Sequence, residues 1–229
     1  LNKLKEKGHF ISVATGRLYT MTKPFCDQFG ISNMVTDGGF GTVLNGQVDI
    51  KPLDRQMMID IVDVFEEKNI PWAICMADER VWHTRTKKFY DIMEKNKMNY
   101  MDTVIDPNLD IRKVKDIFKG FACINPKEEA GLEALKNVTY TRYRPGYIVI
   151  EPDDKSLGIR KVMDLMGIED QDVVVFGDNT NDIKMFRPEW TSIAMGNAVE
   201  ELKKIADFVT KDADDGGIEY ACRHFGWID

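Results

Sequence analysis

The amino-acid pattern predicts an α/β protein, a doubly wound parallel-sheet core into which a second α/β unit is inserted. Strand-loop-helix alternation opens the chain over residues 9–30 and returns after residue 150. Such alternation folds as a parallel sheet with helices on both faces. Between the two stretches lies a run of hairpins and helices with a different rhythm. A chain of 229 residues, 43% of them hydrophobic, is long enough for a large domain that carries an insert.

Leu1 to Lys7 reads as the end of an amphipathic helix, with Leu1 and Leu4 on one face and no capping residue ahead of them. His9 to Ala14 alternates and is rich in β-formers, so it predicts a strand that Thr15-Gly16-Arg17 turns into a helix ending near Gly30. Asn33 to Thr36 is the next strand. Gly41 to Leu44 and Gln47 to Ile50 flank Asn45-Gly46, the signature of a type I′ hairpin.

A second unit follows the break at Lys51-Pro52. Met57, Met58, Ile61, Val62 and Phe65 recur at helical spacing between Asp54 and Lys68, before a strand at Trp72 to Met76 and a hairpin through Val81-Trp82. A helix near Lys87 to Lys97 comes next, then an irregular stretch around Asp106-Pro107-Asn108 and a strand at Phe121 to Ile124. A helix from Pro126 to Leu135 and strands at Val138 to Tyr143 and Tyr147 to Ile150 close the unit. This assigns residues 48–150 to the insert, and 1–47 with 151–229 to the core. The last third predicts a helix at Lys155 to Met166, a strand at Asp172 to Phe176, a loop at Gly177 to Asn181 and a short helix to Phe186. A strand at Ser192 to Met195 and helices at Ala198 to Ile205 and Gly217 to Phe225 end it.

Composition excludes several functions. With 38 acidic against 31 basic side chains the net charge is -7, the wrong sign for nucleic-acid backbones or anionic membrane surfaces. The longest apolar runs, such as Val173 to Phe176, are strand-sized and far short of a membrane span. Cys26, Cys75, Cys123 and Cys222 form no CxxC motif and are too few for a disulfide framework, which points to a reducing, cytoplasmic setting. With only His9, His83 and His224, and no HExxH, a catalytic divalent metal would have to be held by oxygen ligands, which points to magnesium rather than zinc. None of the four serines lies in GxSxG, which argues against a serine hydrolase.

Three segments carry chemistry. In Val173 to Asp182 an apolar strand ends at Gly177 and at once presents Asp178, Asn179, Asn181 and Asp182. Ligands of open α/β sheets sit at the carboxyl ends of strands, so Asp178 lies where a metal or phosphate binds. Asn181 or Asp182 acting purely as a helix cap is the simpler reading, but a turn does not need this concentration of acids behind a buried strand, which favours the functional one. At Val13 to Arg17 a strand delivers a hydroxyl, a glycine and a guanidinium to a helix start, where backbone amides bind phosphate oxygens. Such turns are common, and Arg17 also suits an exposed surface position. Lys155 heads a helix, where the dipole disfavours a cation, so it calls for an anion; Asp153 and Asp154 are candidates alongside a substrate phosphate.

Together, ATGR at 14–17, the lysine of DDKSLGI at 153–159 and GDNTNDIKMF at 177–186 resemble motifs two, three and four of the haloacid dehalogenase superfamily, in order and spacing. The likeness is closest to its Cof-like branch, with a large α/β cap between motifs two and three, and Asp37-Gly38-Gly39 and Asp214 to Ile218 share it. The resemblance implies a Rossmann-like core with a cap and hydrolysis of small phosphate monoesters, sugar phosphates among them. It implies that Asp178 coordinates Mg²⁺, that Asn181 and Asp182 order the metal and phosphate shell, and that Thr15, Gly16 and Lys155 hold phosphoryl oxygens. These residues suit phosphoryl transfer, which needs positioning and charge neutralisation.

The family's first motif, a D-x-D-x-T strand supplying the aspartate nucleophile and an acid/base aspartate, has no counterpart here. We expect it upstream of Leu1, and expect residues 1–229 alone not to turn over substrate. A phosphomutase of the same fold and a non-catalytic phosphate-binding or regulatory protein are the alternatives. Within the cap, Trp72, Arg80, Trp82, His83, Arg142 and Arg144 are candidates to face substrate, although tryptophans in strands are more commonly core and arginines more commonly solvated. Met57, Met58, Met163 and Met166 read as helix packing rather than a cofactor site.

Overall fold

The structure is a computed structural model that describes residues 1–98 and 101–229. The amino-terminal part of the core comprises α1 (Asn2–Glu6), β1 (Ser12–Ala14), α2 (Tyr19–Gln28), β2 (Asn33–Thr36), β3 (Gly41–Leu44) and β4 (Gln47–Ile50). β1 pairs parallel with β2, and β2, β3 and β4 continue antiparallel. The expected hairpin is present: Asn45 and Gly46 both take the left-handed φ that a type I′ turn requires, 51° and 79°. All of β4 pairs with β3, so the core sheet runs through Ile50 and a boundary after residue 47 would cut this strand. α1 fully buries no residue: of the expected apolar face, Leu1 is exposed and Leu4 half-buried.

The insert contains α3 (Arg55–Glu67), β5 (Trp72–Cys75), β6 (Val81–Thr84), α4 (Lys87–Lys95), β7 (Asp102–Ile105), β8 (Lys119–Ala122), α5 (Pro126–Ala130), β9 (Tyr140–Arg144) and β10 (Tyr147–Ile150). Its six strands form one sheet in the order β7-β6-β5-β8-β10-β9. One face packs on α3 through Met58, Ile61, Phe65 and Ile74, and the other on α4 through Trp82, Phe89 and Phe121. Strand β7, just ahead of the irregular stretch at residues 106–108, is not expected from the sequence, because it gains its ladder from β6 and not from local pattern. The helix expected from Pro126 to Leu135 stops at Ala130, ahead of Gly131, and resumes as a 3₁₀ turn.

The chain returns to the core with α6 (Lys155–Met166), β11 (Val174–Gly177), β12 (Thr191–Ala194), α7 (Glu200–Lys203), β13 (Phe208–Val209) and α8 (Gly217–His224). β11, β12 and β13 form a second, fully parallel sheet. The helix expected over Ala198 to Ile205 shortens to α7, and the one before Phe186 is a 3₁₀ turn at Thr180–Met185. Among the described residues the outer edges of β1 and β11 pair with no strand, and Val13, Ala14, Val174 and Phe176 stay half-buried. Ala14 packs on the β11–β12 cluster, so the two edges share one interior.

α6 joins the two sheets. It packs on β2 and β3 and also on the 180–185 turn. Its approach is close: a Cβ on Gly158 would lie 2.4 Å from Val35. Ahead of it, the Asp37-Gly38-Gly39 turn presses on the 152–155 linker; Gly39 has φ 109°, and a Cβ there would lie 2.1 Å from the Asp154 carbonyl oxygen. Gly39→Ala should therefore lower stability by about 3 kcal/mol, from backbone strain and overpacking together. Chemical denaturation checks this, and a loss below about 1 kcal/mol would show that the turn relaxes freely.

Candidate active site

The site is built from the loops that leave the carboxyl ends of β1, β2 and β11, where an open α/β sheet places its ligands. After β11 the chain turns tightly, and Asp182 closes the turn. One of its carboxylate oxygens accepts the backbone N–H groups of Asp178 at 2.9 Å and Asn179 at 3.1 Å. The other accepts the Lys155 ammonium at 2.5 Å. Asp182 is 4% exposed and engaged on both oxygens; at the third position of the 180–185 turn it closes a capping box with Asn179, the N-cap. Asp178, held by its backbone, is exposed, and Asn181 is half-buried beside it.

Lys155 is the first residue of α6 and 6% exposed. The anion that its position demands is Asp182 and not either neighbour, for Asp153 pairs with Lys184 and Asp154 caps the Ser156 N–H. A buried ammonium at a helix start is stable only because a carboxylate 27 residues away meets it.

Thr15 leaves β1 with its N–H on the Val35 carbonyl at 2.8 Å, and its own carbonyl accepts the Gly38 N–H at 3.2 Å. Its hydroxyl oxygen accepts the Arg17 N–H, also at 3.2 Å. Gly38 and Gly39 in turn abut Pro152, Asp154 and Lys155, so the end of β1 and the start of α6 are joined through one turn. The fold thus brings Thr15, Gly16, Lys155, Asp178, Asn181 and Asp182 to one end of the core. Arg17 is exposed, as a surface residue would be.

The cap candidates fare differently. Trp72 and Trp82 are 5% and 1% exposed and belong to the apolar clusters. Arg142 clamps Glu129, His83 pairs with Glu79, and Arg144 reaches the Asn96 carbonyl, all within the insert. Arg80 is exposed at the start of the β6 hairpin.

A buried polar cluster where insert meets core had no place in the sequence reading. Lys119 on β8 pairs with Glu151 and donates to the Gly16 carbonyl at 2.7 Å, while the Tyr143 hydroxyl donates to Glu151 at 2.6 Å. Asp78 accepts the Thr20 N–H at 3.1 Å. The available signal was a charge inside or directly after an apolar strand, Lys119 before Gly-Phe-Ala and Glu151 after Tyr-Ile-Val-Ile.

Asp37 belongs to the same region. It is 2% exposed, takes φ 51°, and neither carboxylate oxygen is hydrogen-bonded; the Thr36 hydroxyl lies alongside without a well-formed bond. Burial pushes its pKa from 3.8 to about 6; Lys119 and Thr36 pull it down, and Asp78 and Glu151 push it further up.

Two outcomes follow. Asp182→Asn leaves Lys155 buried without its counter-charge and should lower stability by about 3 kcal/mol in denaturant titrations. For Asp37 the folded state holds the proton more tightly than the unfolded chain, so its contribution falls as pH rises from about 4 to about 6. Asp37→Asn keeps the shape, tolerates positive φ and should stabilise the protein by about 3 kcal/mol at pH 7, and by little below pH 4. Thermal melts across that range test it; an unchanged pH profile in the variant would mean that Asp37 does not titrate there.

The sequence matches the haloacid dehalogenase-like hydrolase family over residues 1–221. It is 30% identical to "Putative phosphatase YkrA" of Bacillus subtilis over 99% of this chain and 88% of that protein. To the 5-amino-6-(5-phospho-D-ribitylamino)uracil phosphatase YitU of the same organism it is 24% identical, over 95% of this chain and 85% of the relative. In structure it resembles the subclass IIB sugar phosphatase BT4131, with a TM-score of 0.76, 25% identity, and coverage of 99% of this chain and 89% of that one. Matched in sequence and fold over nearly its whole length, the chain belongs to the haloacid dehalogenase-like hydrolases.

Proposed function

We propose that this protein hydrolyses small phosphate monoesters, sugar phosphates in particular, with Mg²⁺ as cofactor. The observation that carries this reading is the convergence of Asp178, Lys155 and the Thr15-Gly16 loop at one end of the core, with Asp182 bracing two of them. The names of the relatives, a sugar phosphatase and a ribitylaminouracil phosphatase, support the substrate class. Residues 51–150 act as a cap over the site. Four free, buried cysteines suit a cytoplasmic setting.

The described residues bring together no cluster of three acidic, histidine or cysteine side chains, but Asp178 suits magnesium. Asp178 is an exposed carboxylate on a braced backbone, and Mg²⁺ takes one or two carboxylates while keeping waters and substrate oxygens. When bound, the ion neutralises charge on the phosphoryl oxygens. Lys155 supplies a fixed positive charge to those oxygens, and the Thr15 hydroxyl with the amides after β1 supplies hydrogen bonds, which is the positioning that phosphoryl transfer requires. The attacking aspartate would stand on a strand between the free edges of β1 and β11 and form the aspartyl-phosphate intermediate. Residues 1–229 carry no D-x-D-x-T segment, and by themselves they should not turn over substrate.

The test is phosphate release from a panel of sugar and nucleotide monophosphates by the protein expressed from its full reading frame, with and without Mg²⁺. Release should require Mg²⁺ and vanish in Asp178→Asn, and Lys155→Met should slow it about 10²-fold or more. Metal-independent release, or no release from any ester, would overturn the reading; an isomerised sugar phosphate as product would indicate a mutase.

A further inference from the structure

The segment after β1, from its loop into the first turn of α2, is gripped from the insert at every second residue from 16 to 20. At residue 16, Lys119 donates to the Gly16 carbonyl at 2.7 Å. Leu18, 1% exposed, sits in the insert's apolar cluster with Trp82, Phe121 and Tyr147. At residue 20, Asp78 accepts the Thr20 N–H at 3.1 Å and approaches its hydroxyl at 3.4 Å.

Of these, the grip at Gly16 has a chemical consequence. Lys119 stands on β8 in the middle of the insert's sheet and is 5% exposed. Holding an ammonium there takes full compensation, and it comes from Glu151, which Tyr143 steadies in turn. The Gly16 carbonyl and the Arg17 N–H belong to one planar peptide unit. That N–H donates to the Thr15 hydroxyl oxygen at 3.2 Å. A hydroxyl has one proton and two acceptor sites; with the Arg17 N–H on one acceptor site, the proton is left to donate elsewhere. Fixing the peptide plane therefore restricts the direction in which Thr15 offers its proton to the two remaining positions on the oxygen.

We propose that Lys119 is a positioning residue for the phosphate site: from the insert it sets the Gly16–Arg17 peptide and, through it, the Thr15 hydroxyl. Seating the insert on the core and ordering the phosphate loop are then one event. Glu151 extends the link, since it lies on the linker that runs four residues on to Lys155. The inference rests on the reading of Thr15 and Lys155 as phosphate-binding.

The test is calorimetric titration of the full-length protein with inorganic phosphate in the presence of Mg²⁺, and with Mg²⁺ alone. Lys119→Met by itself strands the Glu151 carboxylate and risks unfolding, so the decisive variant is Lys119→Met/Glu151→Gln, which removes both charges and should melt close to the parent. That variant should bind phosphate about tenfold more weakly while its Mg²⁺ affinity stays the same. Lys155→Met serves as the reference for the site itself. Undiminished phosphate binding in the double variant, with weakened binding in Lys155→Met, overturns the role of Lys119 and leaves the phosphatase reading standing. Equal losses of phosphate and Mg²⁺ affinity in the double variant would also overturn it, as general damage. Undiminished binding in Lys155→Met would overturn both.

Discussion

The Lys155–Asp182 pair is the constraint on which the core depends. The two core sheets share no strand pairing among the described residues, and they are joined by α6, which packs on β2 and β3 with one side and on the turn after β11 with the other. The pair fixes the head of that helix to that turn. Because Asp182 also holds the amides of Asp178 and Asn179, a single carboxylate sets the position of a cation and of an exposed acid at once. Two charges buried at about 5% exposure gain little net stability, but they admit only one arrangement of their neighbours.

A second buried pair, Lys119–Glu151, does for the insert what the first does for the core. Around it lie Asp37 and Asp78, so acids outnumber the cation. Such crowding is costly, and Asp37 shows the cost as a carboxyl whose ionisation is postponed to about pH 6. Strain and unpaired polar groups of this kind gather at functional sites more than elsewhere, and here they gather beside the Thr15-Gly16 loop.

Much of this was legible in the sequence. The Asn45-Gly46 turn and helix α6 to the residue follow from local pattern, and local pattern also proposes residues 15, 16, 155, 178, 181 and 182 as candidates, because turn chemistry, apolar periodicity and the ends of apolar strands are local properties. Elements whose support is non-local were misjudged or missed. Strand β7 exists through its parallel partner β6, β13 is two residues long beside β12, and the helix after Pro126 breaks where Gly131 and its surroundings take over.

The fold class and the kinds of residue at each strand end are fixed locally, since they rest on periodicity and on residue chemistry within a few positions. Which charges meet is set by the folded chain. Lys155 had two acids directly beside it and chose a third, 27 residues on; Lys119 found its partners in Glu151 and in a carbonyl 103 residues away. Pairing of buried charges follows distance and desolvation in the folded state, and sequence separation carries no information about either.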